Sequence, residues 1–150
     1  MKIYVASSWR NEWQPLVVDY LRSAGHEVYD FRNPSEGDTG FSWSEIDPNW
    51  QEWTTAGYLR GLQHSLAQEG FKSDFEAMQW ADACVLVLPC GRSAHLEAGY
   101  FVGAKKPLII LVEQMEPELM YLMADDLPED IDGVLEALSR CAGEVASDSP

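Results

Sequence analysis

Apolar positions along this chain follow two periods. Ile3 to Ala6 is a short β-prone run that ends at Ser7-Ser8. Leu16, Val17, Tyr20 and Leu21 then recur at the three- and four-residue spacing of one helix face. Gly25 stops that helix as a C-terminal cap, and His26 to Phe31 reads as a second strand. Strand, helix and strand in this order predict a parallel sheet with a right-handed crossover. Cys84 to Leu88 (CVLVL) and Pro107 to Val112 are continuous apolar runs, as expected of strands covered on both faces. Helices are predicted over residues 55 to 68, Lys72 to Ala81, Ser93 to Ala104 and Asp130 to Cys141, with a weak edge strand near Tyr121 to Ala124. The pattern predicts a single α/β domain over residues 1–142, with a parallel sheet of four to five strands flanked by helices. A flexible tail is expected over 143–150.

Residues 32–54 break the pattern. Pro34, Gly37, Gly40 and Pro48 stand there among Phe41, Trp43, Trp50 and Trp53. A loop this long is usually functional or disordered, and its aromatic content argues against disorder.

Composition adds limits. The chain has 150 residues, 46% of them hydrophobic and 23% charged, so it can bury a core without disulfides or a structural metal. Its formal net charge of -15 repels polyanions, which argues against nucleic acid polymers and anionic membranes as partners. A small ligand, which feels only the local field of its pocket, is not excluded. Cys84, Cys90 and Cys141 are odd in number and form no CxxC pair, so they read as reduced, structural thiols. The start MKIYVASSW is too short and too polar for a signal peptide, and no apolar segment reaches membrane-span length. A cytoplasmic location is expected.

In open parallel sheets, ligands bind beyond the carboxyl ends of the strands. Ser7, Ser8, Trp9 and Arg10 follow the first strand, Phe31, Arg32 and Asn33 the second, and Pro89 to Ser93 the CVLVL strand. The helix before CVLVL runs antiparallel to the strands, which puts its first residues, with Asp74, on the same edge. Asp82 lies eight residues on, about 12 Å away along a helix, and reads as structural. An Asp near a helix start can also serve merely to offset the helix dipole. Glu97 sits in SAHLEAGY, where Ser93 is placed to cap the helix and Gly99 suggests a close backbone approach. His95 is two residues from Glu97, the wrong spacing for a shared helix face, so no metal site is expected. GxGxxG and GxxxxGK[ST] are both absent, and no cofactor is implied. Most of the six tryptophans suit packing, while Trp9 and Trp43 are placed to stack on a flat heterocycle.

KIYVAS, then Asp74 with Asp82, then an apolar strand, SAHLEAGY and GAKKPL together resemble the nucleoside 2-deoxyribosyltransferase superfamily. That group includes deoxynucleoside 5′-monophosphate N-glycosidases. The resemblance spans roughly residues 2–112 without the aromatic loop. It implies a flavodoxin-like sheet and cleavage or exchange of an N-glycosidic bond of a (deoxy)nucleoside or its 5′-monophosphate. By position, Glu97 matches the nucleophile, Asp74 the aspartate that assists the base, and Tyr4 the tyrosine that orients the glutamate. A carboxylate nucleophile splits one hard displacement into two easier ones. The transferases carry Asp-x-Gly-Thr before the glutamate, where this chain has Gly91-Arg92-Ser93-Ala94. Ser8 and Arg10 resemble the phosphate-binding loop of the monophosphate hydrolases, and Ser93 joins them as a substrate-binding residue. Assembly as a homo-dimer or larger is also implied. Two other readings compete: a nucleotide-binding or sensing module without turnover, and an NAD glycohydrolase of the Toll/interleukin-receptor type.

Overall fold

The computed structural model describes residues 1–113 and 116–147. In chain order its main elements are β1 (Lys2–Ala6), α1 (Gln14–Ser23), β2 (Glu27–Asp30), α2 (Thr55–Gly61), α3 (Ser65–Trp80), β3 (Ala83–Val87), α4 (Arg92–Gly103), β4 (Leu108–Leu111) and α5 (Ile131–Ser147). Two compact units result. One holds Met1–Asp30 and the chain from Trp80 onward, and the other holds Phe31–Gln79.

The first unit carries the sheet. Its four strands are all parallel, in the order β2-β1-β3-β4. That is the start of the flavodoxin-like order, with its switch point between β1 and β3. Alternation assigns the two faces. Ile3, Val5, Val85, Val87, Ile109 and Leu111 pack with Val17, Val18 and Leu21 of α1 and with Val134, Ala137 and Leu138 of α5. The opposite face holds Tyr4, whose ring lies 5.8 Å from that of Phe101 on α4. β3 is buried at every position, which explains its unbroken apolar sequence. Asp82 accepts a hydrogen bond from the backbone N–H of Lys2 at 2.8 Å, the structural role read for it from sequence. Gly25, at φ +88°, lies just past α1 in the left-handed region that a glycine cap supplies.

The second unit is helical and aromatic. Trp43 meets Phe41, Trp53 and Tyr58 edge-on at 4.8, 5.6 and 5.9 Å. Trp53 lies across α2 where Gly57 and Gly61 leave room, and a Cβ on Gly61 would come within 2.5 Å of its ring. Gly70 does the same for Phe41, since a Cβ there would be 2.8 Å from the Phe41 Cβ. Close seating of aromatic rings is thus the reason for two helical glycines.

Several boundaries differ from the sequence reading. The helix expected over 55–68 ends at Gly61, and the one expected from Lys72 begins at Ser65. Gly70 lies inside α3, where it packs against Phe41. The edge strand expected at Tyr121 to Ala124 is instead a 3₁₀ turn over Leu119–Met123, and the nearby bridge pairs Ile109 with Asp126. Residues of the expected tail are helical as far as Ser147, while positions 148–150 lie outside the described residues.

Candidate active site at the carboxyl edge of the sheet

Within the first unit, the ends of β1 and β3 are tied together by polar side chains. Ser7 donates its hydroxyl to the Val87 carbonyl at 2.8 Å. Asn11, almost fully buried, donates to the carbonyls of Val87 and Pro89 at 3.3 and 3.1 Å. Its own carbonyl accepts from the backbone N–H groups of Trp13 and Gln14 at 2.8 and 3.1 Å. One side chain therefore caps the start of α1 and fixes the loop after β3. Gln14, also buried, continues the network by donating to Asp30 at the end of β2 (2.8 Å). Asn11, Gln14 and Asp30 were missed by the sequence reading. The available signal was polar residues near the ends of two strands and at the start of α1, and only their burial distinguishes them from ordinary surface residues.

Ser8 accepts from the backbone N–H of Arg10 at 3.2 Å, which curls the loop after β1. Trp9 and Arg10 are exposed on it. Ser93 is exposed in the first turn of α4 but does not cap the helix. The helix begins one residue earlier than expected, with Gly91 at the cap position and no side-chain cap. Glu97 therefore falls in the second turn, where the dipole at a helix N-terminus has little reach. A Cβ on Gly99 would meet nothing within 4 Å, so the close backbone approach expected there is absent among the described residues.

Glu97 is half-buried. It lies one helical turn before Phe101, and so on the face of α4 that meets Tyr4. Tyr4 is fully buried and also stacks on Tyr29 at 5.3 Å. Burial pushes the Cys90 thiol up to about 12, with the Glu97 carboxylate as the second cause. Cys84 is raised by the same two causes in the same order. The carboxylate thus faces a partly dry, thiol-lined surface. Beside it, His95 hydrogen-bonds the Gly91 carbonyl at 2.8 Å through Nδ1, which must carry the proton because a carbonyl only accepts. Nε2 then accepts from the Tyr121 hydroxyl at 3.0 Å. The imidazole is held on both sides as a strut between α4 and the 3₁₀ turn.

Asp74 and Trp43 belong to the second unit. Asp74 lies near the middle of α3, not in its first turn, so dipole compensation does not account for it. It is half-buried and lines a cavity together with Phe31, Phe41 and Ser73. Trp43 is enclosed by its three aromatic neighbours and does not line that cavity. The described residues contain no cluster of three or more His, Cys, Asp or Glu suited to hold a metal. They contain no helix long and apolar enough to cross a membrane.

Comparison with solved structures decides what this architecture resembles. A 2-deoxyribosyltransferase from the psychrotolerant bacterium Bacillus psychrosaccharolyticus superposes with a TM-score of 0.56 at 24% sequence identity. The match covers 89% of this chain and 90% of that one. The two chains share a fold. No family model and no curated protein matches the sequence. The extent of the match exceeds the resemblance read from motifs, since it includes residues beyond position 112.

Proposed function

We propose that this chain is a nucleoside 2-deoxyribosyltransferase-like enzyme that cleaves or exchanges the N-glycosidic bond of a (deoxy)nucleoside or its 5′-monophosphate. The observation that carries this reading is Glu97, a half-buried carboxylate on the face of α4 that meets Tyr4, within a fold shared with a 2-deoxyribosyltransferase. In this reading the Glu97 carboxylate attacks the anomeric carbon. The bond from that carbon to the base breaks, and its electron pair passes to the base nitrogen. Asp74 supplies a proton to the departing base, and Tyr4 orients the glutamate. Water or a second base then attacks the glycosyl ester and frees Glu97. Ser8, Arg10 and Ser93 would meet a 5′-phosphate, with Trp9 beside them. Assembly of two or more copies belongs to the same reading. It is supported by exposed Leu96 (77%), Leu119 (75%) and Leu122 (79%) on the α/β unit.

The test is release of free base from a panel of ribo- and deoxynucleosides and their 5′-monophosphates, followed by chromatography. Glu97→Ala is expected to abolish release while leaving circular dichroism and melting unchanged. A variant that keeps near wild-type turnover would overturn the assignment of Glu97. If wild type releases no base from any member but binds nucleotides, the chain is a sensing module.

A further inference from the structure

The cavity in the second unit is about 180 Å³, on the order of six water volumes, which is room for one small ring system. Its walls combine two aromatic rings, Phe31 and Phe41, with four acidic side chains, Asp38, Glu45, Glu69 and Asp74. Among the described residues no lysine, arginine or histidine lines it. Arg32, whose guanidinium lies 5.8 Å from the centre of the Phe31 ring, is not part of the lining. Phe41 is held in place, because Gly70 lets it rest directly on α3. Asp38 and Glu45 each use one oxygen locally, on the N–H of Gly40 at 2.9 Å and of Ser42 at 3.0 Å. Each keeps a second oxygen for a ligand. A charged carboxylate accepts hydrogen bonds and donates none.

A pocket with aromatic walls whose charged side chains are all acidic rejects anions and favours a planar cation. We infer that this cavity takes the base and selects nucleosides whose base is positively charged at the moment of cleavage. The base is either a fixed cation, such as an N-alkylated purine or a pyridinium, or one that gains its charge by protonation. The inference rests on the proposed glycosidic reading and adds its substrate class. The electron balance gives the reason. When the glycosidic bond breaks, its electron pair moves onto the base nitrogen. A neutral base must take a proton from Asp74 to leave neutral, whereas a cationic base leaves neutral without one, beside the carboxylates of Asp38, Glu45 and Glu69. The gain is expected in kcat/KM and mainly through KM, because the pocket already favours the cation before the bond breaks.

Two measurements test this. The first is binding of free ring compounds, followed by tryptophan fluorescence: 1-methylnicotinamide (cation), nicotinamide (neutral) and nicotinate (anion). The cation should bind on the order of tenfold tighter than the neutral ring, as several weak charge interactions combined would give, and nicotinate should not bind. Glu69→Gln and Glu45→Gln should each cut that preference severalfold, and glutamine at 45 still completes the capping box. Glu129→Gln, on the other unit, should leave it unchanged. Equal binding of nicotinate and 1-methylnicotinamide overturns the inference, as does a preference that Glu129→Gln lowers as much as Glu69→Gln. The second is base release from 7-methylguanosine against guanosine, as ribo- and deoxynucleosides, with uncatalysed loss subtracted. Faster release from the methylated member supports a fixed cation. Release from adenosine or cytidine that rises as pH falls supports protonation. Glu97-dependent release that is equal for both guanosines and independent of pH overturns the inference and keeps the enzyme. Cation-selective binding without release from any nucleoside overturns the glycosidic reading and keeps the pocket.

Discussion

Cys90 reports on Glu97. Its thiol is pushed up to about 12 by burial first and by the Glu97 carboxylate second. At pH 8 the thiolate fraction is then on the order of one in ten thousand, and the thiolate is the reactive form. Alkylation of Cys90 by iodoacetamide, followed on its peptide by mass spectrometry, should be very slow at pH 8 and rise steadily with pH. Glu97→Gln removes the second cause, so the thiol's titration should move down and alkylation at pH 8 to 9 should become faster. An unchanged rate would mean that the carboxylate points away from the thiol. This test probes the position of Glu97 without requiring a substrate.

At the scale of elements, helical glycines divide into two kinds. Gly61 is filled from outside by Trp53, whereas Gly99 has open space where a Cβ would stand. Gly61→Ala should cost about 1–3 kcal/mol through overpacking. Gly99→Ala should stabilise by up to about 1 kcal/mol, because alanine is the better helix former and meets no obstacle. Urea unfolding of both variants checks the pair. A destabilised Gly99→Ala protein would mean that a second copy packs against α4 there, and its melting would then depend on concentration. Glycine is one residue type in sequence, and its two uses separate only when the neighbouring side chains are in place. The same limit applies to α3, which was expected to start at Lys72 and runs from Ser65 through Gly70. Phe41, 29 residues away, is what makes a glycine acceptable inside it.

At the scale of the whole chain, the formal charge of -15 acts against compactness. Like charges repel through solvent over roughly a Debye length, about 30 Å at 0.01 M salt and under 10 Å at physiological strength. Raising sodium chloride from low to near-physiological concentration should therefore raise the melting temperature, as calorimetry would show. A flat or falling curve would mean that the acidic groups are already matched by favourable pairs. Charge summed over a sequence needs no coordinates, so this property was legible from the outset.

The same is true of the sheet. Runs such as CVLVL and LIIL are apolar at every position because both faces are covered, and a continuous run of that length has few other uses in a chain of this size. The strand–helix–strand start and Gly25 were equally local, and local periodicity determined them. Glu97, and Ser8 and Arg10 after β1, were singled out as candidates from their surroundings in sequence. Tertiary structure decided what depends on groups distant in sequence. Asn11 became a crosslink because Val87 and Pro89 are brought to it. Residues 119–123 form a 3₁₀ turn linked to α4 through the Tyr121–His95 hydrogen bond, where the sequence suggested a strand. Asp74 stands about two and a half turns after the start of its helix, most of which the sequence assigned elsewhere, and it became part of an acidic, aromatic cavity. Hydrophobic periodicity records which face a residue turns to the core. The partner of a polar side chain is fixed only by the folded path of the rest of the chain.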